Sequence, residues 1–274
     1  MAFNDELGNR MKTNYEKIPQ TKLMRRTPVA IRIDGKAFHT FTRGFKKPFD
    51  DILIKSMQET MKYLCENIQG CVLGYTQSDE ITLILQDYKT FETQAWFDYE
   101  VQKMCSVSAS MATMKFNKIF GREVGNFINK CFGKVNFPES FGKFTLEEEN
   151  LLNAYHKATE KGAMFDSRCF NIPKEEVTNL LFWRQLDASR NSVQMVGRAY
   201  YSHKELHGKN NSQIQDMLME KGVNWNDFPT HQKRGSCCIK DKDGHWFVDN
   251  NIPIFKNEGR EYIEKLINCE EVTR

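Results

Sequence analysis

The sequence predicts an α+β fold, a βαββαβ core of the ferredoxin type followed by a mostly helical C-terminal extension. Runs rich in apolar and β-branched residues occur at 28–34, 72–85 and 163–172. The middle run is broken by the polar stretch Gln77-Ser78-Asp79-Glu80 and reads as the two strands of a hairpin. Helical periodicity over 50–68 and about 95–120 falls between this hairpin and the outer strands, which gives the order of the core.

Each element has its own local reason. Residues 4–17 read as a helix because Phe3, Leu7, Met11 and Tyr15 recur every fourth position, with Arg10, Lys12 and Lys17 on the other face. A basic connector carrying Lys22, Arg25 and Arg26 leads to Pro28 and the first strand, Val29, Ala30, Ile31 and Ile33, which stops at Asp34-Gly35. The loop 35–48 is rich in Phe, Lys and Gly; Asp50-Asp51 then caps helix 50–68, with Ile52, Leu53, Met57, Met61 and Leu64 facing inward. The second long helix carries Ser106, Ser108, Ala109, Ser110 and Ala112, small enough for close packing on a sheet. Residues 121–162 read as an insertion, irregular at first and then helical near 145–160, where Glu147, Glu148 and Glu149 suit the positive end of a helix dipole. The strand 163–172 ends at Pro173. Beyond it come helices at 174–200, 211–221 and 257–268, and a hairpin near 235–249 turning at Asp241-Lys242-Asp243-Gly244. The expected organisation is one unit over 1–274, with the core at about 28–172 and the helical region at about 173–274. The core topology is shared by many functions and supports no activity by itself.

Composition narrows the classes. The 274 residues are 40% hydrophobic, enough for a substantial core, and the net charge of +3 excludes a polycation. Any nucleic-acid contact must therefore come from a local patch. Eight cysteines form no C-x-x-C pair and no zinc pattern, no signal peptide precedes them, and free thiols in a reducing cytoplasm are expected. No apolar run is long enough to span a membrane, so no membrane partner is expected.

The chemistry gathers at two acidic stretches, Arg32-Ile33-Asp34-Gly35-Lys36-Ala37-Phe38-His39 and Gln77-Ser78-Asp79-Glu80. Either acid alone is an ordinary turn residue. If strand 28–34 lies beside the hairpin, Asp34 and Asp79 converge, and two carboxylates with the Gly35 carbonyl suit Mg²⁺, a cation that prefers oxygen. Acids ending adjacent buried strands would repel one another without such an ion. Glu80 follows Asp79 directly, points to the opposite face and is the weaker ligand. Lys47, before Pro48 and the start of a helix, either meets phosphate or is a solvated lysine. His39 contacts a nucleotide or fills the loop, and Lys103, Ser106 and Ser110 line a triphosphate pocket or pack the helix. His203 and His207 fit a surface helix better than zinc, and Lys233-Arg234 meets phosphate backbone or faces solvent.

Taken in order, Arg-Ile-Asp-Gly-Lys-Ala-Phe-His, Lys47-Pro48-Phe49-Asp50, Gly74-Tyr75-Thr76-Gln77-Ser78-Asp79-Glu80, Trp183-Arg184-Gln185 and Lys233-Arg234-Gly235 resemble the tRNA(His) guanylyltransferase superfamily, from about residue 7 to about residue 240. The resemblance implies a palm-like core that adds nucleotides in the 3′-to-5′ direction. It implies that Asp34, the Gly35 carbonyl and Asp79 hold two Mg²⁺, and that Asp34, Asp79 and Glu80 are the catalytic acids. It puts Asp34, Gly35, Lys36, Ala37, Phe38, His39, Lys47, Asp50, Ser78, Asp79 and Glu80 at nucleotide-site positions, with ATP and GTP or other NTPs as substrates, tRNA as partner and a homotetramer as the assembly. The Lys233-Arg234 pair is carried over as an RNA contact.

One departure shapes the expected function. Where eukaryotic members carry His-Ile-Asn-Asn-Leu-Tyr-Asn, this chain reads Ser189-Arg190-Asn191-Ser192-Val193-Gln194-Met195, and Asn191 alone is plainly retained as a nucleotide-site residue. This is similar to the guanylyltransferase-like branch of bacteria and archaea. The expected activity is template-dependent repair of the tRNA 5′ end by two-metal nucleotidyl transfer. The alternatives are dedicated G−1 addition to tRNA(His), a nucleotide cyclase, and a non-catalytic RNA-binding protein.

Overall fold

A computed structural model describes residues 5–132 and 145–268. In chain order its elements are α1 (Glu6–Met11), β1 (Val29–Gly35), α2 (Phe38–Phe41), α3 (Asp51–Asn67), β2 (Cys71–Gln77), β3 (Glu80–Leu85), α4 (Val101–Phe132), α5 (Leu146–Lys161) and β4 (Phe165–Asn171). The C-terminal region contributes α6 (Lys174–Tyr200), α7 (His203–Leu206), α8 (Asn211–Glu220), α9 (Thr230–Arg234), β5 (Ser236–Lys240), β6 (Trp246–Asp249) and α10 (Glu261–Ile267).

The strands form one antiparallel sheet in the order β4-β1-β3-β2-β5-β6. Its first four members have the order of a ferredoxin-type βαββαβ unit, as the sequence predicts. Alternation along β1 explains the layers. Val29, Ile31 and Ile33 join Ile81, Leu83 and Leu85 against Met57, Met61 and Leu64 of α3 and Phe116 and Phe120 of α4. Ala30 and Ile84 face the other way, toward Val177 and Leu181 of α6 and Ile263 and Ile267 of α10.

Three expectations change. The C-terminal region is not outside the core, because α6 and α10 cover the second face of the sheet and β5 pairs with β2. The close approach of β5 is made at Gly235, where a Cβ would lie 2.5 Å from the Thr76 carbonyl oxygen. The expected irregular stretch after residue 120 is instead the continuation of α4 to Phe132; residues 133–144, the rest of that stretch, lie outside the described residues. The N-terminal helix is shorter than 4–17, with α-geometry at Glu6–Met11, a π-turn at Lys12–Glu16 and no buried residue in either.

Candidate active site

The site lies where three strands end together. Asp34, the penultimate residue of β1, stands opposite Glu80 of β3 on one side and Asp166 of β4 on the other. The Gly35 N–H donates to the Asp79 carbonyl at 3.1 Å, fastening the hairpin tip to the end of β1, and the Lys36 N–H donates to the Met164 carbonyl at 2.8 Å. The Phe38 ring occupies the space in which a Gly35 Cβ would sit, 2.2 Å from that position. At the tip, Ser78 has φ 50 and its hydroxyl donates to Asp79 Oδ1 at 2.9 Å.

The charge of Asp34 is felt at Asp79. Burial pushes the Asp79 carboxyl above its ordinary range and the Asp34 charge adds to the rise, against hydrogen bonds from Ser78 and the backbone. Two mutually repelling carboxylates beside a turn are an all-oxygen donor set, and Mg²⁺ fits it. Glu80 is differently employed. It is buried, and its Oε1 accepts the Arg184 Nε–H at 2.7 Å, so one of its oxygens is held by α6. Burial raises its pKa while Arg184 opposes the rise. Arg184 also donates to Asp187 at 3.0 Å, and Gln185 brackets the Pro253 carbonyl and the Phe255 N–H, both at 2.9 Å. Arg184 therefore ties α6 to the sheet, and Gln185 ties it to the segment that follows β6.

The other sequence candidates divide into several groups. Asp50, Ser78 and Asn191 do converge, lining with Phe49 and His231 a cavity of about 80 Å³. Asp50, however, is spent on structure: it caps α3 by accepting the Leu53 N–H at 3.0 Å and also accepts the Lys46 N–H at 3.1 Å and the Tyr155 hydroxyl at 2.7 Å. Lys47 is exposed and lines a different space, an open cavity of about 950 Å³ bounded by Phe45 and the first turn of α5. Lys36, Ala37 and His39 are exposed around the short α2. Phe38 is core, with ring centroids 5.0 Å from Phe41 and 5.2 Å from Phe165.

Two groups stand elsewhere. Along α4, Thr113 meets Phe165, Ser108 meets Ser167 at 2.8 Å and Cys105 meets Cys169 at 3.6 Å. The helix therefore starts at the end of β4 remote from Asp166, and Lys103 and Ser106 lie there, with Ser110 exposed partway along. Ser106 bonds to the Lys103 carbonyl of its own helix, and Lys103 lies 5.4 Å from the Phe97 ring. Within one chain these residues do not reach the acids. Lys233 is corrected too: it is buried, its ammonium donates to the Asn226 carbonyl at 2.5 Å, and burial lowers its pKa. Arg234 stays half-buried.

Sequence reading missed Asp166, Arg184 and His231 as neighbours of the site. Only strand register reveals Asp166, whereas Arg184 stood inside a motif that was noticed without a role. Among the described residues, the one group of three metal-type side chains is Asp241, Asp243 and His245, all exposed. Asp241 Oδ1 there accepts the N–H groups of Asp243 at 2.9 Å and His245 at 2.8 Å, the ordinary work of a turn aspartate.

Known proteins resemble this chain over most of its length. The family model described as tRNAHis guanylyltransferase (Thg1) matches residues 8–173. A solved structure of a bacterial tRNA(His) guanylyltransferase (Thg1)-like protein in complex with ATP is 41% identical, covers 96% of this chain and 100% of its own, and superposes with a TM-score of 0.77. A structure of such a protein in complex with GTP is 39% identical with a TM-score of 0.73, covering 96% of this chain and 99% of its own. The tRNA(His) guanylyltransferase of Candida glabrata is 24% identical over 82% of this chain and 89% of its own length.

Proposed function

This chain belongs to the tRNAHis guanylyltransferase family of nucleotidyltransferases, and we propose that its reaction is template-dependent addition of nucleotides to the 5′ end of tRNA, in the 3′-to-5′ direction, as repair of that end. The observation that carries the reading is the fastening of Asp79 to the end of β1, which holds two acids together where the strands end. Pure RNA binding has no use for paired acids, which repel the backbone they would meet. The bacterial relatives crystallised with ATP and with GTP support nucleoside triphosphates as substrates. A homotetramer and a cytoplasmic location belong to the same reading and rest on resemblance.

The chemistry needs an activated 5′ end, either adenylylated by ATP or already a triphosphate. The 3′-hydroxyl of the incoming nucleotide attacks that 5′ phosphorus, forming a P–O bond and releasing AMP or pyrophosphate. Asp34 and Asp79, with the Gly35 carbonyl, are the residues that would hold Mg²⁺. The ions supply a more acidic hydroxyl and charge stabilisation at the leaving group. Ser78 orients the Asp79 carboxylate, and the Arg184–Glu80 pair keeps the strand end in register with α6. The base is selected by pairing with the template, so the protein needs phosphate contacts more than base contacts.

The test is incubation with a 5′-truncated tRNA, ATP, all four NTPs and Mg²⁺, resolved at single-nucleotide length. The expected product is a ladder that stops when the end is restored; cyclised ATP or GTP without extension would overturn the proposal. The names of the fungal relatives favour a second reading, dedicated G−1 addition to tRNA(His). Against it stands the run Ser189–Met195, in which Asn191 alone keeps the eukaryotic pattern.

A further inference from the structure

Beside the acids, on the sheet face that α6 covers only in part, stands an arginine whose charge is felt by the buried Glu80 but which no hydrogen bond or ion pair holds among the described residues. Arg32 precedes Asp34 by two residues on β1, so both side chains emerge from the same face, about 7 Å apart along the strand. Its direct neighbours are Arg168 on β4 and Thr82 on β3. Like charges directly opposite one another destabilise a sheet. Arg168 is answered by Asp166 at 3.0 Å, but Arg32 has no hydrogen-bonded or ion-paired acid among the described residues. The Thr82 hydroxyl is buried and also lacks a partner. What Arg32 does have is an aromatic ring: its guanidinium carbon lies 5.9 Å from the centroid of Trp183, whose ring is held by Arg184 at 4.5 Å. Trp183 is nonetheless 48% exposed. An indole that is braced by cations and open to solvent is a stacking surface.

We propose that Arg32 and Trp183 form the seat for the 5′-terminal nucleotide of the RNA, with the 5′ phosphate on the Arg32 guanidinium and the terminal base on the Trp183 ring. The inference rests on the proposed 5′-end reaction and names the side chains that present its electrophile to Asp34. An open shelf suits the end of a stacked stem, where one base face is uncovered. Charge complementarity picks the occupant. This cation, which no hydrogen bond engages, lies one side-chain repeat from the acids, where a phosphate must lie to be attacked. The Trp183-Arg184-Gln185 motif then divides its labour, with Arg184 and Gln185 fixing the helix and Trp183 meeting substrate.

The test compares binding of one truncated tRNA bearing either a 5′-monophosphate or a 5′-hydroxyl, with Mg²⁺ and at several salt concentrations. Wild-type protein should prefer the phosphorylated end by about tenfold. Arg32→Gln should erase that preference and reduce the salt slope by about one phosphate's share. Trp183→Ala should weaken both RNAs by about tenfold, and Trp183→Phe, which keeps a ring, should restore most of the loss. Circular dichroism establishes that each variant is folded. Retention of the phosphate preference in Arg32→Gln would overturn the inference. So would unchanged RNA binding with a raised NTP requirement, because the anion on Arg32 would then be the triphosphate. A wild-type protein that binds tRNA but never extends it would instead remove the 5′-end reaction, and this seat with it.

Discussion

At the scale of single residues, the two acids of the hairpin tip have different partners, Ser78 for Asp79 and Arg184 for Glu80, and mutation should separate them. Asp79 carries a charge that the fold resists. Its folded pKa is raised, so its contribution to stability is present below the unfolded value of roughly 4 and is lost as pH climbs through the folded value. Asp79→Asn should therefore stabilise the metal-free protein at pH 7 by about 1 kcal/mol, with the gain fading below pH 4, while abolishing nucleotide addition. Thermal melts across pH, with and without Mg²⁺, check the first half and single-turnover assays the second. Asp34→Asn should also be inactive, and wild-type turnover in either variant would end the two-acid reading. Glu80 differs in its partner. Glu80→Gln removes one carboxylate from the buried Arg184 and leaves it with Asp187 at 3.0 Å, a loss of about 1.5 kcal/mol. Adding Arg184→Met should recover much of that stability if the damage is the under-paired charge, and denaturant titration of the single and double variants measures the recovery.

At the scale of elements, the segment between β1 and α3 carries both a structural and a chemical assignment. Asp50 joins the Lys46 N–H, the first turn of α3 and the Tyr155 hydroxyl, so Asp50→Ala should cost about 2 kcal/mol, at the upper end for a helix cap. Lys47 lies three residues earlier yet is exposed and turned to the cavity against α5. We expect Lys47→Ala to raise the NTP concentration needed for half-maximal single-turnover rate and to leave the salt slope of tRNA binding alone. Lower tRNA affinity with unchanged NTP dependence would move Lys47 to the RNA. The same segment shows what local sequence can express. The Asp50 cap is written in neighbouring residues, but its bond to Tyr155 spans 105 positions and only packing reveals it.

For the whole molecule, the C-terminal third turns a small sheet into a six-stranded one with helices on both faces. If α6 serves chiefly to hold the strand ends, base choice belongs to the RNA template. A truncated tRNA with C opposite the gap should then receive G, and one with A opposite should receive U. Sequencing of the extended products checks this, and G added whatever stands opposite would favour the dedicated guanylyltransferase.

The sequence by itself determined the strand order of the core, because apolar alternation, a polar hairpin tip and two periodic helices are local signals that tolerate one arrangement. It offered the convergence of Asp34 and Asp79 only on the condition that strand 28–34 lies beside the hairpin, a pairing that the folded chain alone shows. Tertiary structure alone decided what each polar side chain then does. Glu80 and Asp79 are adjacent in the chain, yet one is paired with an arginine 104 residues away and the other is raised in pKa by burial, with the Asp34 charge adding to the rise. Lys233 looked like a phosphate contact until packing turned its ammonium onto the Asn226 carbonyl. Arg32 is part of a motif in the sequence, and strand register sets it opposite Arg168. The physical reason is one of range. Secondary structure follows from patterns a few residues long, whereas the state of a charge depends on every group brought within a few ångströms of it, and folding draws those from the whole chain.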